Sequence, residues 1–191
     1  MTVGVTGPFA SGKSTFVKLL AELGAETVSS DGIVHELLSS DERAIERVIE
    51  RFGENIRRNS GIDRAVLARE VFGDVQALED LEGILHPLVR EATDRRIAAT
   101  DAEVFVAEVP LLFEVGRGVD FDYTVAVVTP EDRRREWSDE RGVEETRRRS
   151  TEDRQFSSEE KARRADIVVQ NDGDLARFRE RAAEVWTFIS R

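Results

Sequence analysis

Residues Gly7 to Ser14 read G-P-F-A-S-G-K-S, and this stretch decides the fold. It fits G-x-x-x-x-G-K-[ST], the turn by which a strand passes into a helix around a phosphate group. The flanks agree with that pattern. Thr2 to Thr6 (T-V-G-V-T) is a short β-prone run, and Phe16, Leu19, Leu20 and Leu23 recur at helical spacing before Gly24, which suits the helix end. In such a turn successive peptide amides curl toward one point, and the helix N-terminus adds partial positive charge. Ala10, Ser11 and Gly12 supply loop backbone and Lys13 a point charge for the β- and γ-phosphates. Ser14 offers a hydroxyl to Mg²⁺, and Thr15 another near the α-phosphate. ATP and Mg²⁺ are therefore the expected small-molecule partners. Pro8 brings no amide to the loop. A GTPase would carry N-K-x-D, but none of the three lysines, Lys13, Lys18 and Lys161, follows an asparagine.

Further along the chain, Glu26 to Ser29, Glu103 to Val109, Tyr123 to Val128 and Ile167 to Val169 read as strands. Helical patterns separate them. One uses Val75, Leu78, Leu81, Leu85 and Leu88, with Pro87 expected to interrupt or bend it. Another places Leu175, Phe178, Ala182, Val185 and Ile189 on one stripe. Strands alternating with helices predict an α/β fold, a P-loop NTPase-type parallel sheet flanked by helices. No repeat or linker divides the 191 residues, so they read as one domain.

The composition excludes several classes. With no cysteine there is no disulfide scaffold or thiolate site, and two histidines disfavour a histidine metal site. The net charge of −11 argues against binding the nucleic-acid backbone. No apolar run is long enough to span a membrane, and Met1 to Thr6 lacks the basic flank of a signal peptide. A cytoplasmic protein, a monomer or small homo-oligomer, is expected.

A phosphotransferase with this loop must also hold an acceptor hydroxyl in line with the γ-phosphoryl group. Asp31, just after the second predicted strand, is placed to align or deprotonate that hydroxyl; it is equally suited to cap the helix that follows. Glu108, at the end of the central strand, is a candidate for Mg²⁺-bound water or a solvated strand end.

These segments resemble the dephospho-CoA kinase family along nearly the whole chain. T-G-P-F-A-S-G-K-S-T is similar to its loop, and S-S-D-G-I-V-H-E-L at 29–37 to its D-A-D-x-x-x-H/R segment, which puts the family's base on Asp31. L-H-P-L-V-R at 85–90, V-P-L-L-F-E at 109–114 and E-E-K-A-R-R-A-D-I-V-V-Q-N-D-G at 159–173 resemble three further family stretches. Pro8 replaces a loop glycine and Ser29 the first aspartate of D-A-D. The resemblance implies transfer from ATP to the ribose 3′-hydroxyl of dephospho-CoA, with a helical acceptor-binding insertion within about 31–100. It also favours an acceptor contact for His86, whose other reading is a structural histidine. His35, one helical turn after Asp31, is a candidate acceptor contact or a surface residue, and Phe113 and Glu114 are candidates to line the acceptor pocket, Phe113 being equally suited to the core.

Residues 133–154 hold eight arginines among seven acids. A helical lid over about 131–160 is expected, with Arg141 and then Arg148 as the phosphate contacts; most of the other arginines read as a solvated, salt-bridged face. Two other functions fit the same loop. A kinase for a nucleoside or nucleotide would turn those acceptors over, and a non-catalytic ATP-binding regulatory module would release no acceptor-dependent ADP.

Overall fold

The computed structural model describes all residues except the side chain of Arg147. In chain order the elements begin with β1 (Thr2–Thr6), α1 (Lys13–Glu22), β2 (Glu26–Ser29), α2 (Ser30–Ser40) and α3 (Glu42–Phe52). A short hairpin, β3 (Arg57–Arg58) and β4 (Gly61–Ile62), precedes α4 (Arg64–Val71) and the long α5 (Val75–Ala99). Then come β5 (Phe105–Glu108), β6 (Tyr123–Val128), α6 (Glu131–Glu140), α7 (Glu145–Glu152), α8 (Ser158–Arg164), β7 (Ile167–Gln170) and α9 (Leu175–Ile189). The chain forms two compact units, Met1–Val28 with Thr100–Arg191, and Ser29–Ala99.

The first unit is built on a sheet of order β2-β5-β1-β6-β7. β1 pairs in parallel with β5 and β6, and β6 with β7, so the carboxyl ends of these strands lie along one edge. The register sets Val5 beside Glu108, Thr6 beside Ala126 and Val128 beside Gln170. Alternation along β1 sends Val3 and Val5 into a core with Val106, Val125, Val127, Phe16, Leu20, Phe178 and Ala182. Phe16 and Phe178 tie α1 to α9, with ring centroids 5.7 Å apart. On the other face of β1, Gly4 leaves room for an aromatic ring: a Cβ there would stand 2.8 Å from Phe121.

The second unit is helical. Its core joins Leu38, Ile45, Val48, Ile49, Ile56, Leu67 and Leu85. Side-chain caps start its four α-helices: Ser29 accepts from the Gly32 amide, Asp41 from Ala44, Asp63 from Ala65 and Val66, and Asp74 from Ala77. Ser29 thus takes the cap considered for Asp31, which stands in the first turn of α2. Helix α5 runs through Pro87 without interruption. The carbonyl that the proline ring crowds belongs to Gly83, the residue whose backbone yields most easily. No helix of the described residues is long and apolar enough to cross a membrane.

Asp122 closes the start of the central strand. Its carboxylate accepts from the Thr2 amide (2.7 Å) and Thr2 Oγ1 (3.0 Å), which holds its pKa below the usual range. A depressed carboxylate stabilises the fold above its unfolded pKa, about 3.9, and loses that contribution as pH falls through the folded value. Urea unfolding of the wild type and Asp122→Asn should therefore show the variant less stable at pH 7, with the gap narrowing as pH falls below about 4.

Candidate active site

The phosphate loop lies within the first unit and takes its shape from two left-handed residues, Ala10 (φ 58°) and Gly12 (φ 89°). For alanine that conformation is uncommon and needs support from its surroundings. Gly12 needs its hydrogen for a second reason, since a Cβ would stand 2.3 Å from Asn171 Nδ2. Gly7 passes equally close to β6, where a Cβ would meet the Val127 carbonyl oxygen at 2.3 Å. Pro8, though it lacks an amide, contributes its carbonyl: Ser11 N donates to it at 3.3 Å and Lys13 Nζ at 2.9 Å. The Lys13 side chain is thereby folded back over the loop and buried.

Ser14 and Glu108 meet across the loop. The hydroxyl of Ser14, at the start of α1, donates to Glu108 Oε1 at 2.9 Å, although 94 residues separate them in sequence. The parallel register that sets Glu108 beside Val5 makes this contact. A hard cation such as Mg²⁺ takes oxygen ligands, keeps several waters and draws others from substrate phosphates. A hydroxyl and a buried carboxylate at the mouth of a phosphate loop fit that requirement. No cluster of three or more His, Cys, Asp or Glu side chains able to hold a metal by itself occurs among the described residues.

The segment expected as a lid, about 131–160, carries α6, α7 and the start of α8. Arg141 ends α6 and is exposed. Arg148 is buried, with Nη1 on Glu152 Oε2 at 3.0 Å. Glu152 also holds Arg134, whose Nη1 lies 2.7 Å from its Oε1 and 3.3 Å from the carbonyl oxygen of Phe9 in the loop. One carboxylate therefore gathers two guanidinium groups, and one of those touches the loop. The Nε of Arg134 is buried without an acceptor. The sequence pattern did not single out Arg134 among its arginine neighbours; its contact with the loop spans 125 residues.

Lys161 was a second omission. Its side chain is fully buried, donating to the Pro110 carbonyl (2.8 Å) and Thr6 Oγ1 (3.2 Å) and pairing with Glu114 Oε1 (2.7 Å). Burial lowers its pKa, and Glu114 opposes that shift. Glu114 Oε1 also accepts from the Phe156 amide at 2.7 Å, so this carboxylate is committed to the frame behind the loop. Phe113 is half-buried, with its ring against Gly118. A signal for Lys161 was available: a chain with 28 basic residues keeps lysine at three positions, and two of them, Lys13 and Lys161, are buried. A compact ammonium fits where a planar guanidinium would not.

Asp31, His35 and His86 belong to the second unit. Asp31 is exposed, and His35 stands one turn further along α2. His35 Nδ1 lies 3.0 Å from Arg64 Nη1. His86 sits on α5 beside Pro87.

Removing one partner of the buried pair strands the other. Lys161→Met should cost about 3–5 kcal/mol in urea unfolding. The double variant Lys161→Met/Glu114→Gln should recover part of that loss, because it leaves no uncompensated charge.

Known proteins match this geometry over most of the chain. The family model described as dephospho-CoA kinase matches residues 1–177. A dephospho-CoA kinase from Protochlamydia amoebophila is 37% identical over 190 residues, covering 96% of this chain and 94% of its own. Among solved structures, TT1252 from Thermus thermophilus superposes with a TM-score of 0.82 at 31% identity, covering 98% of this chain and 96% of that one. The dephospho-CoA kinase from Campylobacter jejuni gives 0.67 at 28% identity, covering 99% and 97%. A phosphate loop on a parallel sheet, a serine paired with a strand-end carboxylate, and this match along the sequence lead to one assignment: the chain belongs to the dephospho-CoA kinase family.

Proposed function

We propose that this protein transfers the γ-phosphoryl group of ATP to the ribose 3′-hydroxyl of dephospho-CoA, giving coenzyme A and ADP. The observation that carries the reading is the family match over residues 1–177, which includes the loop, Asp31 and Glu108. In the proposed reaction the acceptor oxygen forms a bond to the γ-phosphorus as the bond to the β,γ-bridging oxygen breaks. Asp31 aligns the hydroxyl and takes its proton. The amides of residues 10–15 hold the triphosphate, and Lys13 leaves the Pro8 carbonyl to neutralise charge on the β- and γ-oxygens.

Mg²⁺, when bound, would neutralise phosphate charge, with Ser14 as a direct ligand and Glu108 holding a coordinated water. Arg134 and Arg148 are the lid cations we assign to phosphate. Both are already gathered beside the loop on Glu152, whereas Arg141 is exposed at the end of α6. His35, His86 and Phe113 are assigned to the acceptor side, and Glu114 to holding Lys161. The reading extends to a cytoplasmic enzyme, a monomer or small homo-oligomer, with neither nucleic acid nor membrane as partner; the net charge of −11 supports the exclusion of nucleic acid.

ADP release measured across dephospho-CoA, nucleosides and nucleotides tests the proposal. Turnover should require dephospho-CoA; turnover of a nucleoside instead, or none with any acceptor, would overturn it. Asp31→Asn should lower kcat by about 10²- to 10⁴-fold while ATP affinity, read by calorimetry, stays near the wild-type value. An unchanged kcat would remove Asp31 from the mechanism.

A further inference from the structure

We propose that Thr129 and Asn171 are positioning residues for the nucleotide, which fix the Ser11–Gly12 peptide with its amide toward the phosphates by gripping the Ser11 carbonyl oxygen. The inference rests on reading the loop as the ATP site, and it deepens that reading by naming what keeps the loop in its binding form.

The Ser11 carbonyl oxygen accepts two side-chain hydrogen bonds, from Thr129 Oγ1 at 2.9 Å and from Asn171 Nδ2 at 3.0 Å. All three residues are buried. Two donors use both lone pairs of the carbonyl. Among the described residues no peptide bond is cis, and in a planar trans peptide the N–H points opposite to the C=O. Holding the Ser11 oxygen therefore also aims the Gly12 amide, in the reverse direction. Among the described residues no backbone hydrogen bond outside the helices and strands uses that amide.

Both donors stand on rigid supports. Thr129 follows the last residue of β6 and Asn171 the last of β7. The Asn171 amide donates to the Val128 carbonyl at 2.8 Å, and its Oδ1 accepts from Gly173 N at 3.3 Å, so the carboxamide cannot turn its donor away without losing that bond. Its Nδ2 occupies space that any side chain at position 12 would fill. Neither residue needs to touch the phosphate. Were the peptide to flip, it would present a carbonyl oxygen to the triphosphate where an amide had been, exchanging attraction for repulsion.

The test uses the full chain. Thr129→Val keeps shape and removes the donor, Thr129→Ser keeps the donor, and Asn171→Asp puts an acceptor where a donor stood. ATP binding is read by calorimetry without acceptor, alongside the melting temperature and, in turnover, KM for each substrate. Thr129→Val and Asn171→Asp should each weaken ATP binding by about three- to tenfold, the size of one lost hydrogen bond. Together they should exceed the product of the single effects, because either donor alone still holds the peptide. KM for dephospho-CoA should not move, and Thr129→Ser should bind ATP like the wild type.

The proposal is overturned if the folded double variant binds ATP normally. It is equally overturned if Thr129→Ser is as impaired as Thr129→Val, or if both substrates weaken together. Should Asn171→Asp fail to fold, the Thr129 pair decides alone. Because ATP binding is measured without acceptor, the calorimetric result is independent of whether dephospho-CoA is the substrate.

Discussion

A loop of bare peptide can hold a highly charged anion only if its amides stay turned inward, and a short turn has little of its own to keep them there. Here the support comes from the sheet. Parallel pairing brings the carboxyl ends of β1, β5, β6 and β7 to one edge. Each end delivers a group to the loop or its rim: Thr6 leads into it, Glu108 meets Ser14, and Thr129 and Asn171 take the Ser11 carbonyl. None of these side chains is a neighbour of the loop in sequence except Thr6. The register of the sheet is what makes them neighbours in space.

Behind this edge lies a second layer of constraint. Lys161 joins Thr6, Pro110 and Glu114 through one buried ammonium, so the start of the loop, the turn after β5 and helix α8 share a single anchor. Glu114 extends the anchor to the Phe156 amide, just ahead of α8. A buried pair of this kind contributes little net stability over an apolar replacement. Its value here is geometric, because it fixes three segments that must keep their relative positions while substrates come and go. The arginines of α6 and α7 are arranged differently. Arg134 and Arg148 share one carboxylate, an arrangement in which an arriving phosphate oxygen can compete with Glu152 for either of them.

The parts of this organisation that were legible in the sequence are those encoded locally. β1, β2 and β6 fall on the short β-prone runs that mark them in the sequence, and the glycine loop carries its own signature. β5 was expected from Glu103 but begins at Phe105, and β7 reaches one residue further, to Gln170. The β3–β4 hairpin went unread because its two-residue strands are too short to show a period; its signal was Asn59, which takes the left-handed turn at φ 53°. Pro87 predicts an interruption or a bend; burial of Leu85, Leu88, Val89 and Ala92 keeps α5 continuous through it. Arg134, Thr129, Asn171 and the role of Lys161 were hidden for one reason. Their partners lie 118 to 160 residues away or, for Lys161, 155 and 51 residues away, and no local pattern encodes such distances. Arg134, at 125 residues, falls in the same range.

The most direct test of the account is a crystal structure of the enzyme with a non-hydrolysable ATP analogue, Mg²⁺ and dephospho-CoA. The account predicts phosphate oxygens on the amides of residues 10–15, including that of Gly12, and the ribose 3′-hydroxyl in hydrogen-bond reach of the Asp31 carboxylate. A triphosphate seated elsewhere, or a 3′-hydroxyl held by a different carboxylate, would contradict it.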